Sequence, residues 1–159
     1  MQFELKTDTR ALLAVLNKLP AEVVSKRGGP VKLALAKGAR LLRNRAKQNL
    51  RAAIAQNGER STGSLEKRIV ATRGKAPFGG RGERYLVRVK KRDYINALGI
   101  RTNPLMTANL LEYGSVHQPA TPWLRPALAE VGEQVIDVAT VELIKQTDKV
   151  VAKLAAGAR

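Results

Sequence analysis

Residues 111 to 128, Leu-Glu-Tyr-Gly-Ser-Val-His-Gln-Pro-Ala-Thr-Pro-Trp-Leu-Arg-Pro-Ala-Leu, make one helix stop, the chain run extended and another helix begin within eighteen positions. The apolar run Leu110, Leu111, Tyr113 is closed by Gly114, a residue that takes a left-handed backbone without a Cβ clash and so suits a helix end. Pro119, Pro122 and Pro126 fix φ and push the residues before them away from helical geometry, so 116 to 121 reads as an extended surface segment. Thr121 is a suitable cap and Pro122 suits a first helical turn, which predicts a helix starting at 121 to 122. Trp123 and Leu124 are then expected to anchor that helix in the core. Glu112 is expected to make a salt bridge or hydrogen bond that holds the loop.

The rest of the chain supplies what this corner packs against. Phe3 and Leu5 alternate with polar neighbours over 1 to 6, the period of a half-buried strand. Leu12, Leu13, Val15, Leu16 and Leu19 form a short helical face that Pro20 ends. After Gly28-Gly29-Pro30, the residues Val31, Leu35, Leu42, Ala46, Leu50 and Ala53 recur at helical spacing as far as about Gln56. Thr62-Gly63 opens a short helical turn around Leu65, followed by a β-branched strand near 68 to 73, a glycine-rich loop and a returning strand at 84 to 91. In that strand Tyr85, Val87 and Val89 alternate with Leu86, Arg88 and Lys90. The pattern at 95 to 100 is too thin to decide between strand and turn. Pro104 precedes a helix to Tyr113, and Leu124, Leu128, Val131, Val135 and Val138 set the stripe of a final helix over 122 to 154. These elements predict an α+β fold in which a small, mostly antiparallel sheet packs against two long helices. At 159 residues a single domain over 1–159 is expected.

Charge is the second constraint. The chain carries +16, from 29 lysines and arginines against 13 acids, and 24 of those basic residues but only 7 of the acids fall in residues 1 to 111. A surplus of this size implies a polyanionic neighbour, an acidic partner surface, or both. With six aromatic residues in all, phosphate contact is favoured over stacking of unpaired bases. The 31 to 56 helix holds seven basic residues and no acid, and Arg40, Arg43, Lys47 and Arg51 form a stripe on a face of their own. A solvated face is the plain alternative. A purely solubilising face, however, usually mixes signs, so the stripe points to DNA or subunit contact. Glu130, Glu133 and Asp137 make an acidic ridge on the last helix that the basic face of a neighbouring copy could meet.

Catalysis finds little support. The only histidine, His117, lies in the extended loop, and there is no cysteine, which excludes disulfides and thiolate metal sites and fits a reducing cytoplasm. No catalytic residue, metal site or cofactor is expected. Gly79-Gly80-Arg81-Gly82 lacks the Lys-Ser/Thr and strand-to-helix context of a phosphate-binding loop and reads as a flexible hairpin tip. Apolar runs are too short to span a bilayer and the start lacks a signal-peptide pattern, so a soluble protein that is neither exported nor membrane-bound is expected.

Two stretches resemble the tail-component family of long-tailed phages, the neck or tail-completion proteins of the Hong Kong ninety-seven type. In that family a Glu-aromatic-Gly-Ser/Thr element, here Glu112-Tyr113-Gly114-Ser115, precedes Pro-Ala-x-Pro-aromatic-Leu-Arg-Pro-Ala-Leu, matched here by Pro119, Pro122, Trp123, Leu124, Arg125 and Pro126. Thr62-Gly63-Ser64-Leu65 with Ile69 is similar to the family's Thr-Gly-x-Leu-x-x-Ser-Ile, although Arg68 stands where serine is common. The glycine stretches at 28 to 29 and 79 to 82 look like local insertions. The resemblance implies a non-enzymatic virion protein that forms a ring, a hexamer, at the head–tail junction, beside connector and tail terminator or tube proteins. It further implies assembly in the host cytoplasm and passive contact with genomic DNA. A sequence-independent basic DNA-binding protein is the alternative that composition favours.

Overall fold

A computed structural model describes residues 29–56, 63–75, 82–95 and 99–157. The strand expected at 1 to 6, the helix over 12 to 19, Thr62 and the glycines 79 to 80 lie outside these residues. Helix α1 (Pro30–Gln56) begins at a proline, whose missing N–H is not needed in a first turn. Helix α2 (Ser64–Arg68) follows Gly63, which has a φ of 67°. Strands β1 (Ile69–Arg73) and β2 (Tyr85–Val89) form the expected hairpin, antiparallel, with Ile69 opposite Val89 and Arg73 opposite Tyr85. The undecided stretch after it resolves into two further strands, β3 (Tyr94–Ile95) and β4 (Arg101–Thr102), which pair antiparallel as a separate two-stranded ribbon. Helix α3 (Pro104–Tyr113) is capped by Asn103, whose Oδ1 accepts from the Met106 amide at 3.1 Å.

The last helix, α4 (Leu124–Gly157), starts two residues later than its sequence suggests. Lys37 on α1 reaches Glu142 and Arg45 reaches Glu130, so α1 and α4 pack antiparallel. Their seam is built of small residues. Ala34, Gly38, Ala39 and Ala46 are buried on α1, and a Cβ added at Gly38 would lie 3.0 Å from the Val135 carbonyl oxygen of α4. The fold is α+β, with the β1–β2 sheet set against the C-terminal half of α1.

One apolar cluster joins all of these layers: Ala46, Leu50 and Ala53 of α1, Leu65, Ile69, Ala108 and Leu111, and Trp123 and Ala127 where α4 begins. Val87 and Val89 close it from β2. Trp123 is 2 % exposed and is the largest fully buried side chain among the described residues, as expected of an anchor. Leu124 only packs partly against the cluster, and Leu128, placed on the buried stripe by its spacing, is 56 % exposed. The buried positions Trp123, Ala127 and Val131 recur every four residues, one position before Leu124 and Leu128, so the inner face is offset from the expected stripe and Leu128 falls outside it.

Candidate assembly site and cationic surfaces

The corner between α3 and α4 is organised by one carboxylate. Glu112, in the last turn of α3, is 5 % exposed. Its Oε2 accepts from the backbone amides of Trp123 and Leu124, each at 2.9 Å, and its Oε1 from the Arg125 amide at 3.1 Å. An α-helix leaves its first four N–H groups without intrahelical partners. In α4 these belong to Trp123, Leu124, Arg125 and Pro126, and proline has none. Glu112 therefore satisfies every orphan donor of this helix start, which corrects the expected cap at Thr121 and start at Pro122. A negative charge at a helix N-terminus is favourable in its own right.

Arg125 returns the contact. Its Nε donates to Glu112 Oε1 at 2.9 Å, its Nη2 donates to the Glu112 carbonyl at 2.9 Å, and its guanidinium stands 5.0 Å from the centre of the Tyr113 ring. Burial pushes the Glu112 pKa up, but the amides of Leu124 and Trp123, the Arg125 guanidinium and the Arg125 amide together outweigh it, leaving the group below the usual carboxylate range. The Trp123 indole donates to the Ala108 carbonyl at 3.4 Å.

Between the helices the chain folds back on itself. Gly114 has a φ of 76° and a ψ of −175°, a region open essentially to glycine alone, and its amide donates to Leu110 O at 2.8 Å. Ser115 N donates to Gln118 O and Thr121 N to Leu111 O, both at 2.8 Å, so the proline segment is tied at both ends. His117 is exposed in this loop, and its amide donates to Ser115 Oγ at 3.2 Å. Around the corner lie exposed apolar side chains: Met106, Leu110 and Tyr113 on one face of α3, Leu105 beside them, and Val116, which is 98 % exposed at the loop tip.

The structure rearranges the expected charge partners. Arg51 forms a two-pronged pair with Glu66 of α2, at 3.0 and 2.6 Å, so it is held within the chain. That hydrogen bond lowers the Glu66 pKa against the opposing effect of burial, with smaller help from the charges of Arg51, Lys47 and Lys67. Arg43 donates to Asn44 of its own helix, while Arg40 remains exposed. Glu130 is not free to serve a neighbouring copy: it accepts from Arg45 Nε at 2.5 Å and Asn49 Nδ2 at 3.1 Å, and its pKa is lowered chiefly by Arg45 and then Asn49. Glu133 and Asp137 stay exposed, so the acidic ridge is reduced to those two. Glu142 is the acid that reasoning from sequence overlooked. Lys37, and after it Gln146, pull its pKa down to about 2.

Of the remaining motif residues, Leu65 is buried beside Ile69, Gly63 stands at the start of α2, and Pro119 and Pro122 are exposed. Thus the structure brings Glu112, Tyr113, Gly114, Trp123 and Arg125 into one unit and leaves Arg40, Arg43 and Lys47 apart from it on α1. Among the described residues no group of three or more His, Asp or Glu side chains could hold a metal ion, and no helix is long and apolar enough to cross a membrane. No family model, curated protein or solved structure matches the chain.

Proposed function

We propose that the chain is a structural, non-enzymatic component of a tailed-phage virion, a neck or tail-completion protein that joins the DNA-filled head to the tail. The observation that carries this reading is the Glu112 carboxylate. It binds the Glu-Tyr-Gly-Ser element to the Pro-Trp-Leu-Arg element, the two segments on which the phage-family resemblance rests, as one rigid corner. A corner held this firmly loses little conformational entropy when a partner covers it. The exposed Met106, Leu110, Tyr113 and Val116 beside it supply the apolar centre that a subunit contact needs. In this reading a neighbouring copy covers that strip in a homo-oligomeric ring, a hexamer by the family resemblance, between connector and tail terminator proteins. The protein then resides in the virion neck, after assembly in the host cytoplasm.

The test is complementation of a phage lacking this gene with Leu110→Asp/Tyr113→Asp, a variant altered only at exposed positions. The expected result is a folded protein, heads and tails that accumulate unjoined in electron micrographs, and loss of infectivity. Full infectivity of that variant refutes the neck role. The large positive charge favours a second reading, a sequence-independent DNA-binding protein that acts without a ring. Duplex binding by the isolated chain, with infectious particle yield unchanged in the Leu110→Asp/Tyr113→Asp variant, would favour it.

A further inference from the structure

We infer that the nucleic-acid contact of this protein is the outer face of the β1–β2 hairpin, which grips the phosphate backbone without reading sequence, rather than the basic stripe of α1. In β2, Val87 and Val89 point into the core cluster, so the intervening positions turn outward. Arg88 lies between the two valines, and Arg84 and Lys90 continue the same alternation just outside the strand; all three are exposed, and Lys91 and Arg92 follow directly, also exposed. Arg68 joins them across the strands, because the Lys90 amide donates to the Arg68 carbonyl at 2.9 Å and so fixes the two as neighbours.

What separates this group from the other cations is the placement of the acids. Glu66, Glu83 and Asp93 all lie in or beside the hairpin, yet each is engaged by an arginine outside the group: Arg51, Arg73 and Arg101 respectively. None of the six cations makes an ion pair among the described residues; on α1 Lys37, Arg45 and Arg51 are paired within the chain, so its stripe keeps three cations without an ion pair, Arg40, Arg43 and Lys47, against six here. Six like charges on and beside one two-stranded ribbon repel one another, a repulsion that a polyanion laid against them relieves.

The chemistry of that polyanion follows from what the face lacks. Interfaces with proteins are built around an apolar, often aromatic centre. None of the exposed large apolar side chains lies on β1 or β2, where Leu86 and Val70 are half-buried. Stacking on several unpaired bases needs a row of exposed aromatic rings; Tyr85, on the inward-facing register with Val87, is half-buried, and the exposed Tyr94 stands singly on β3. Phosphate contact needs neither. Arginine forks match phosphate oxygens two at a time, and a two-stranded ribbon is narrow enough to follow a groove of duplex DNA. This assignment does not depend on the neck role. Binding by the isolated chain tests it, while infectivity tests the ring.

The experiment is fluorescence anisotropy of two unrelated labelled DNA duplexes with the full chain over a salt series. Wild type, Arg88→Glu/Lys90→Glu, the neutral pair Arg88→Gln/Lys90→Gln and the helix pair Arg40→Glu/Lys47→Glu are compared, each with its fold checked by circular dichroism. The expected result is equal affinity for both duplexes and a steep fall with salt. Neutralising two contacts should lower the slope of log K against log salt by about 1.8 and weaken binding at least ~10-fold near 0.1 M salt. The charge-reversed hairpin pair should bind more weakly still, and the helix pair within ~2-fold of wild type. Wild-type affinity in the folded neutral hairpin variant overturns the inference. So does a larger loss in the helix pair, an absence of salt-dependent binding in wild type, or displacement of DNA by polyglutamate as effective, charge for charge, as displacement by unlabelled duplex, which would make an acidic protein the partner.

Discussion

Replacing Glu112 by alanine takes away the only acceptor for three backbone amides at the start of α4. The Trp123 amide bond is buried, and those of Leu124 and Arg125 are part-buried, at 2.9, 2.9 and 3.1 Å from the carboxylate. An orphaned buried donor costs about 1–3 kcal/mol, so the buried Trp123 amide, a smaller share from each of the two part-buried amides and the lost charge at the helix N-terminus give about 3–5 kcal/mol. For a chain of this size each kcal/mol moves the melting temperature by roughly 2–4 °C, and Glu112→Ala should melt about 6–20 °C below wild type in far-UV circular dichroism. Glu112→Gln should recover part of this, because its one oxygen can replace Oε2 and accept from Trp123 and Leu124, while its amide nitrogen turns a donor towards the Arg125 amide and guanidinium. Arg125→Ala separates capping from ion pairing: with the Arg125 side chain 63 % exposed, its loss should cost only about 1 kcal/mol or less. A Glu112→Ala protein that melts within about 2 °C of wild type, or an Arg125→Ala protein that melts as low as Glu112→Ala, would refute the capping argument.

The same carboxylate predicts a pH dependence. Glu112, Glu66, Glu130 and Glu142 all have folded-state pKa values below the ordinary one, so their contribution is present above about pH 4–5 and is lost as pH falls through the lowered folded values. The melting temperature should drop steadily below about pH 4, with a shallower drop in Glu112→Gln; a temperature unchanged down to about pH 3 contradicts this. Trp123→Ala, which empties the most buried large side chain of the core, should cost about 3–5 kcal/mol in denaturant unfolding, and wild-type stability would remove Trp123 as the anchor. At Gly114 a Cβ would lie 2.8 Å from the Ala120 amide nitrogen on a backbone that side chains rarely adopt, so Gly114→Val should lower the melting temperature by at least about 4 °C, equivalent to 1–2 kcal/mol. Gly38→Leu should force α1 and α4 apart at Val135 and cost about 1–3 kcal/mol; an unchanged unfolding curve shows that the seam can adjust.

The sequence by itself determined the helices and the hairpin among the described residues and their order, but not the short β3 and β4. Helical spacing from Val31 to Ala53 marked α1, alternation at Tyr85, Val87 and Val89 marked β2, and Gly114 with the prolines marked the corner, because these signals are local: backbone freedom, fixed φ and apolar period act within a few residues. The α+β class followed from the same signals. Partnership was decided only in three dimensions. Thr121 is a good cap by local chemistry, yet a carboxylate eleven residues before Trp123 captures all three free amides, because α3 delivers it already buried and charged to the same point. Glu130 reads as one end of an exposed ridge until the antiparallel packing of α1 and α4 sets Arg45 against it. The basic stripe of α1 stands out in the sequence because its charges are consecutive turns of one helix. The hairpin cations are less conspicuous, since alternation hides them among valines, and only the pairing of Glu66, Glu83 and Asp93 with other arginines leaves them uncompensated. Charge is a property of composition, but which charges are free depends on distances across the fold, and those are set by how the helices and strands pack.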